Sequence, residues 1–455
     1  MSFAKHLSEC ALSIRLDTLP DAALHIARRA VADTIGVALA GRSVPYLTTL
    51  EATLEITSAV GEATLWGAGG AKASVLHAAM VNGTAAHALD FDDCSTTMGG
   101  HPSAPIVPAV LALSEQLDAS AGQAIEAYVT GVEVETRLAR GLLPHHYEKG
   151  WHPTATLGVF GAAAASARML GFDAAAMANT LAMAASMATG LKSNFGTPVK
   201  PIHVGQAAHN GVLAALLTQQ GMSANPEAFE HNYGFFNLFN GAGTYDIQAI
   251  LTGWDGPLEL LDPGIAIKQH PCCGSAHSAI DAALALVSEH GIFAPERIAS
   301  IATQTHERRL AHTNRPDPKS GLDAKFSVQF LTAKALTAGR LRLGDFADDS
   351  FLTPECAAVL PKITSTGHQK EDAYFGQVSV TLTDGTILQA DASTRFGRGP
   401  TNPMSDTELK EKFTDCAAGT LGEQGACAAF SACLALQPQD SLVDLLQRVS
   451  AKEAC

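Results

Sequence analysis

At three places in this sequence a basic side chain and the proline after it open a helix-like run: His101-Pro102, His152-Pro153 and Lys200-Pro201. Small and apolar residues follow at helical spacing; after Lys200 they recur at Val204, Ala207, Ala208, Gly211, Val212 and Ala215. Proline suits the first helical position because it has no N–H to leave unpaired, and it pushes its predecessor towards an extended conformation. The spacing therefore predicts three helix starts, each with a base or cation where free N–H groups and the positive end of the helix dipole attract anions. One such pair is commonplace. Three of them, all in turns flanked by Gly and Thr, predict one polyanion site assembled from several helix ends.

Other residues could complete that site. Asp90-Phe-Asp92-Asp93 follows His87, and the third acid lies eight residues before His101. Clustered carboxylates suit Mg²⁺, but such sites usually borrow substrate phosphates, and no phosphate-binding glycine loop accompanies these. Orienting the histidines and balancing their charge is the more economical role, since a carboxylate beside an imidazole fixes its tautomer and raises its basicity. A helix end carrying solvated acids is the alternative. Asn194-Phe-Gly196-Thr197 is either a glycine turn whose amides hold a carboxylate or a plain connecting loop. Lys268-Gln-His270-Pro again places a base before proline, and His277 falls near the start of a helix predicted over 275–290, where packing and catalysis are both open roles. The adjacent Cys272-Cys273 are poorly placed to chelate one tetrahedral ion, and no CxxC or HExxH accompanies them, so no metal is expected.

The chain has 455 residues, 47% of them hydrophobic, enough for two or three domains with a large core. Its formal charge of −15 argues against nucleic-acid and anionic-membrane partners, because such a field repels both. An anionic substrate then needs a local cationic pocket, which the three cap positions would supply. The first residues lack the charged-then-apolar run of a signal peptide, and the Ala-rich segments are broken by polar groups such as Ser166 and Arg168. The expected product is soluble and cytoplasmic, with its nine cysteines reduced.

Helical periodicity runs over 24–39, 71–89, 108–117, 122–140 and 158–170, punctuated by glycines, which predicts closely packed helices with little side-chain volume between them. From about 296 two stretches alternate at period two, 297–305 and 376–390, the second containing the hairpin signal Asp384-Gly385. Helical patterns flank them at 275–290 and 325–338, and Ser405-Asp-Thr-Glu408 is a capping box that restarts helix. The expected fold is mainly α: an all-helical domain formed by both chain ends, 1–268 and 401–455, and an inserted smaller α+β domain, 269–400.

Several stretches resemble the MmgE/PrpD family: His87-Ala-Leu-Asp-Phe-Asp-Asp93, Gly100-His-Pro-Ser, Gly150-Trp-His-Pro-Thr, Lys200-Pro-Ile-His-Val-Gly-Gln-Ala-Ala, Lys268 through His277, and Ala324-Lys-Phe-Ser-Val-Gln-Phe330. They follow the family's order over nearly the whole chain. The resemblance implies a homodimer, an active site in the cleft between domains, and action on a small di- or tricarboxylate with no metal and no organic cofactor. It places active-site positions of the decarboxylase type on Asp90, His101, His152, Lys200 and His277; Asp90, Asp93, Cys94, Asn194, His203 and Phe330 are the expected substrate-binding residues. Two departures stand out. The family's decarboxylase tyrosine falls on Phe330 and its threonine on Cys94, which weakens cis-aconitate decarboxylation, since phenylalanine neither donates nor accepts a proton.

The chemistry so implied is removal of a proton from carbon next to a carboxylate, with cations and N–H groups stabilising the aci-carboxylate that forms. In an epimerase one group removes the proton and another returns it on the opposite face; the resemblance puts Tyr147 and Lys268 in those roles. In a hydro-lyase of the 2-methylcitrate dehydratase type, a base removes the proton and an acid, His277, protonates the departing hydroxyl. Epimerisation of the iminodisuccinate type leads, the hydro-lyase is the alternative, and a catalytically dead ligand-binding protein or a metal-dependent hydrolase stands lower.

Overall fold

A computed structural model describes residues 2–54 and 61–450 of the chain. It divides into two compact units, Met1–Ile267 with Pro403–Cys455, and Lys268–Asn402. Most of the first unit is helical: α1 (Phe3–Leu12), α2 (Asp21–Gly41), α3 (Pro45–Thr53), α4 (Val75–His87), α5 (Ser103–Leu117), α6 (Ala121–Leu142), α7 (His145–Glu148), α8 (Pro153–Thr156), α9 (Gly158–Met169), α10 (Ala174–Ala185), α11 (Val199–Gln219) and α12 (Ile247–Leu251). The all-helical expectation needs one amendment. Two-residue strands β1 (Ala63–Thr64) and β2 (Lys72–Ala73) pair antiparallel, as do β3 (Cys94–Ser95) and β4 (Ile265–Ala266).

These helices approach closely because their facing residues are small. On α4 and α11, Gly83 faces Gly205, and a Cβ built on Gly205 would lie 2.2 Å from the Met80 carbonyl oxygen and 2.1 Å from Thr84 Oγ1. Backbone at those distances cannot yield without moving a helix. Gly205→Ala is therefore expected to cost about 1–3 kcal/mol, the usual range for overpacking, read as a lower urea midpoint. Any catalytic activity should fall with it, since α11 carries Lys200 and His203.

The second unit contains α13 (His277–His290), β5 (Ile298–His306), α14 (Glu307–Thr313), α15 (Gly321–Ala324), α16 (Val328–Ala338), α17 (Pro354–Val359), β6 (Ile363–His368), β7 (Phe375–Leu382) and β8 (Ile387–Ser393). Its sheet has the order β6-β5-β7-β8, with β5 and β6 parallel and the other neighbours antiparallel. Strand β7 buries Gly376, Val378, Val380 and Leu382, every second residue, as its alternation predicts. The Asp384-Gly385 turn joins β7 to β8, with Gly385 at φ +88° and the Asp384 carboxylate accepting from Thr386 N–H. Periodicity overlooked β6. Ile-Thr-Ser-Thr-Gly-His has a single buried apolar residue, Ile363, because it lies at the sheet edge and is held by backbone pairing.

The chain then re-enters the first unit. Helix α18 (Asp406–Ala435), broken at Gly422 (φ +70°), starts at the predicted capping box, where Ser405 and Glu408 bond reciprocally. It packs along α2, where the Arg29 guanidinium donates to the Met404 carbonyl at 2.6 Å and pairs with Asp406. A last helix, α19 (Val443–Ser450), buries Leu445, Leu446 and Val449.

Candidate active site

All three basic residues before prolines do lie at helix N-termini, in three different registers. His152 is the residue before α8, whose first residue is Pro153. Lys200 is the second residue of α11, one turn before His203 on the same face. His101 lies one residue further out, because Pro102 precedes α5 rather than opening it. Helix α5 begins five residues before the predicted start and carries Pro108 inside it. Reading Pro108 as a start signal displaced that boundary.

The acids come from the turn after α4. Asp90 has φ +54°, a left-handed conformation that a short polar side chain tolerates better than most. Its Oδ1 accepts from Lys200 Nζ at 2.8 Å and lies 3.5 Å from His101 Nε2. Asp92, wholly buried, brings Oδ2 within 2.8 Å of His87 Nδ1 and 3.3 Å of His101 Nδ1. Lysine, aspartate and histidine thus alternate in a chain: Lys200, Asp90, His101, Asp92, His87. Cys94 Sγ lies 3.7 Å from His101 Nδ1. The turn is tied down by Lys412, whose Nζ donates to the Phe91 carbonyl at 2.8 Å and sits 4.1 Å over the Phe91 ring.

His152 completes the group. Its ring is 5.5 Å from that of His87, and its Nδ1 is 3.4 Å from His203 Nδ1. Phe195 meets it edge-on at 4.9 Å, just beyond the turn that ends at Asn194. Burial first, then the charges of His87, Lys200, His203 and His101, hold the His152 imidazole well below the ordinary histidine range. Burial, His87 and Lys200 lower His203 as well. The arrangement therefore sets a neutral imidazole near a lysine ammonium, and the cation is the group that can stabilise negative charge developing on a carboxylate.

Asp93 has a different task from Asp90. Its carboxylate accepts from Ser103 N–H at 3.2 Å and bonds Ser103 Oγ, which is 2.7 Å from Tyr128 Oη. It thereby caps α5 from outside the helix and is turned away from the chain of acids and bases. Burial pushes its carboxyl up to about 8, so at neutral pH it is a hydrogen-bonding group rather than a charge. Asp92, read in the sequence only as one of a cluster of acids that orients the histidines, takes that place beside them.

The four donors of His87, Asp90, Asp92 and His101 lie within 4.8 Å of one another. The Lys200 ammonium engages Asp90 of this group.

Tyr147, on α7, is half-buried; Lys192 Nζ lies 3.3 Å over its ring and donates to its carbonyl at 3.0 Å. In the second unit Lys268 is buried, as are Cys272 and Cys273. His277 opens α13 and meets the His270 ring edge-on at 5.1 Å, while His270 Nε2 pairs with Asp281 at 2.8 Å. Both ring nitrogens of His277 are buried without a hydrogen-bond partner. Burial, then His270 and Lys268, lower it well below the ordinary range. Phe330 is fully buried on α16 with the rings of Phe346 and Phe351, 6.0 and 5.7 Å away, which makes it a packing residue of that unit's core.

The MmgE/PrpD N-terminal domain model matches residues 5–248, and the C-terminal domain model residues 270–436. Cis-aconitate decarboxylase of Mus musculus is 28% identical over 416 residues, covering 88% of this chain and 83% of that protein. The Homo sapiens enzyme of the same name is 28% identical over 415 residues, 88% of this chain and 84% of that protein. The 2-methylcitrate dehydratase of Cupriavidus necator is 27% identical over 209 residues, 40% of each chain. Matched by both of the family's domains in order, with its basic helix ends and acidic turn gathered at one place in the N-terminal one, the chain belongs to the MmgE/PrpD family of enzymes.

Proposed function

We propose that this enzyme removes a proton from the carbon next to a carboxylate of a small di- or tricarboxylate, and that its reaction is an epimerisation of the iminodisuccinate type. The observation that carries the acid–base reading is the alternating chain from Lys200 to His87 beside a neutral His152. Lys200, His101 and His152 bind a carboxylate and stabilise the aci-carboxylate. The relatives named above are named for polycarboxylates, which supports the substrate class.

Two features favour epimerisation over elimination or decarboxylation. A hydro-lyase needs an acid for its departing hydroxyl, and a buried His277 held neutral is a weak one. The phenolic hydroxyl of the decarboxylase motif is replaced by the core-packed Phe330. Tyr147 and Lys268 are the proposed donor and acceptor on opposite faces. The lyase reading stands second, favoured by the names of the relatives. The same proposal includes a homodimer in the cytoplasm; among the described residues no helix is long and apolar enough to cross a membrane.

Proton NMR in D₂O with the stereoisomers of iminodisuccinate, 2-methylcitrate and cis-aconitate tests the reading. Washout of the α-proton with interconversion of stereoisomers and no new alkene is the expected result. A new vinyl signal would transfer the assignment to a lyase, and no exchange with any of the panel would remove the acid–base reading itself.

A further inference from the structure

His146, on α7, is buried, and its Nε2 lies 2.6 Å from Thr156 Oγ1. That hydroxyl has one proton, and it is directed at the His152 carbonyl 3.0 Å away, an oxygen that only accepts. The bond at His146 is then made by an Nε2–H. The other ring nitrogen agrees. His146 Nδ1 is buried with no hydrogen-bond partner, which suits a bare lone pair and would strand a proton. Aromatic rings surround the imidazole: Trp151 and Phe239 lie at 27° and 16° to its plane, and Phe235 is 6.2 Å away. The stack is itself fixed, since Trp151 Nε1 donates to the Phe239 carbonyl at 3.0 Å. Burial, and then the charge of Lys149, push the imidazole down to about 3, so no imidazolium competes with this arrangement at neutral pH.

We propose that His146 is a positioning residue for His152. As the neutral Nε2–H tautomer it donates to Thr156 Oγ1 and directs the threonine proton onto the His152 carbonyl, so two bonds in series tie α7 to the residue that precedes α8. The His152 N–H is held from the other side by the Gly190 carbonyl at 3.0 Å. Gripped at both ends of its backbone, His152 keeps its ring in place against His203 and Phe195. The inference rests on the proposed role of His152 as a carboxylate-binding group for its catalytic meaning, and on the hydrogen bonds for the tautomer.

A packing role and a positioning role predict opposite orders in two variants. His146→Phe keeps an aromatic ring in the stack and loses the N–H; His146→Gln keeps an N–H and loses the stack. Positioning predicts that His146→Phe lowers kcat/KM for α-proton exchange by about tenfold, the range of one buried neutral hydrogen bond, and that His146→Gln recovers most of it. The reverse order overturns the inference. Nitrogen NMR of the full chain carrying ¹⁵N-histidine, with His146 and His152 assigned by their loss in His146→Gln and His152→Gln, reads the geometry without substrate. The His146 ring is expected as the Nε2–H tautomer from pH 5 to 8, and the His152 ring signals are expected to move in His146→Phe and to stay near wild type in His146→Gln. A His146 that carries its proton on Nδ1 or titrates in that range, or a His152 unmoved in His146→Phe, overturns it as well. Should His146→Phe not fold, the wild-type spectrum and His146→Gln still decide. Should no substrate exchange a proton, the acid–base reading of the site fails, while the spectra test the tie on their own.

Discussion

Lys200→Met lowers kcat/KM for α-proton exchange by about 10²–10³, the loss seen when one preorganised charge-stabilising donor is removed from an active site, equal to about 2.7–4 kcal/mol. Methionine keeps most of the stem and leaves α11 intact, so folding should change little. The loss has two sources. The aci-carboxylate loses its cation, and Asp90 loses the ammonium that lies 2.8 Å from it, leaving more negative charge beside an anionic substrate. The second source predicts that Asp90→Asn in the Lys200→Met background restores part of the substrate affinity without restoring kcat. Steady-state exchange kinetics on the three variants, with urea midpoints to exclude misfolding, decide the matter. Near-normal turnover in Lys200→Met would sink the shared mechanism of both the epimerase and the lyase readings.

Lys412→Met destabilises the chain by about 3–5 kcal/mol at neutral pH, the cost of breaking a buried ion pair from one side. Lys412 Nζ lies 2.6 Å from Asp33 Oδ1, and both side chains are buried. Burial raises the Asp33 carboxyl, and Lys412 pulls it back down. Without the lysine, Asp33 escapes an unpaired charge only by keeping a proton that the unfolded chain gives up near pH 3.9. A carboxyl whose folded pKa is raised contributes stability that is present at low pH and lost as pH rises. The deficit relative to wild type should therefore be small near pH 4 and grow with pH, by up to about 1.4 kcal/mol per unit. Urea unfolding of both chains at pH 5, 6, 7 and 8 measures it, and parallel curves would contradict the assignment.

The main elements were legible because their periodicities are strong. Period 3.6 in the Ala-rich stretches gave helices, and period two around Asp384-Gly385 gave β7 and β8. Elements held by backbone pairing alone, such as β3, β4 and β6, left no apolar pattern to read. In the site, a base before proline located Lys200, His101 and His152, because proline marks a helix start independently of tertiary context. His87 escaped selection, since a histidine ending an Ala-rich helix looks like packing until the turn after it brings Asp92 back to its ring. Asp93 and Phe330 show the converse. Matching a family pattern does not say where a side chain points, and these two point into a helix end and a core.

The bond from Lys412 to the Phe91 carbonyl joins residues 321 positions apart. On the ribosome, the turn bearing Asp90 and Asp92 emerges long before its anchor does. Residues 268–402 have their own core and are all translated in the interval. A nascent chain stalled after residue 402 would thus carry every acid and base of the site yet lack the clamp that sets their spacing, so competence for catalysis should appear only once α18 has cleared the exit tunnel.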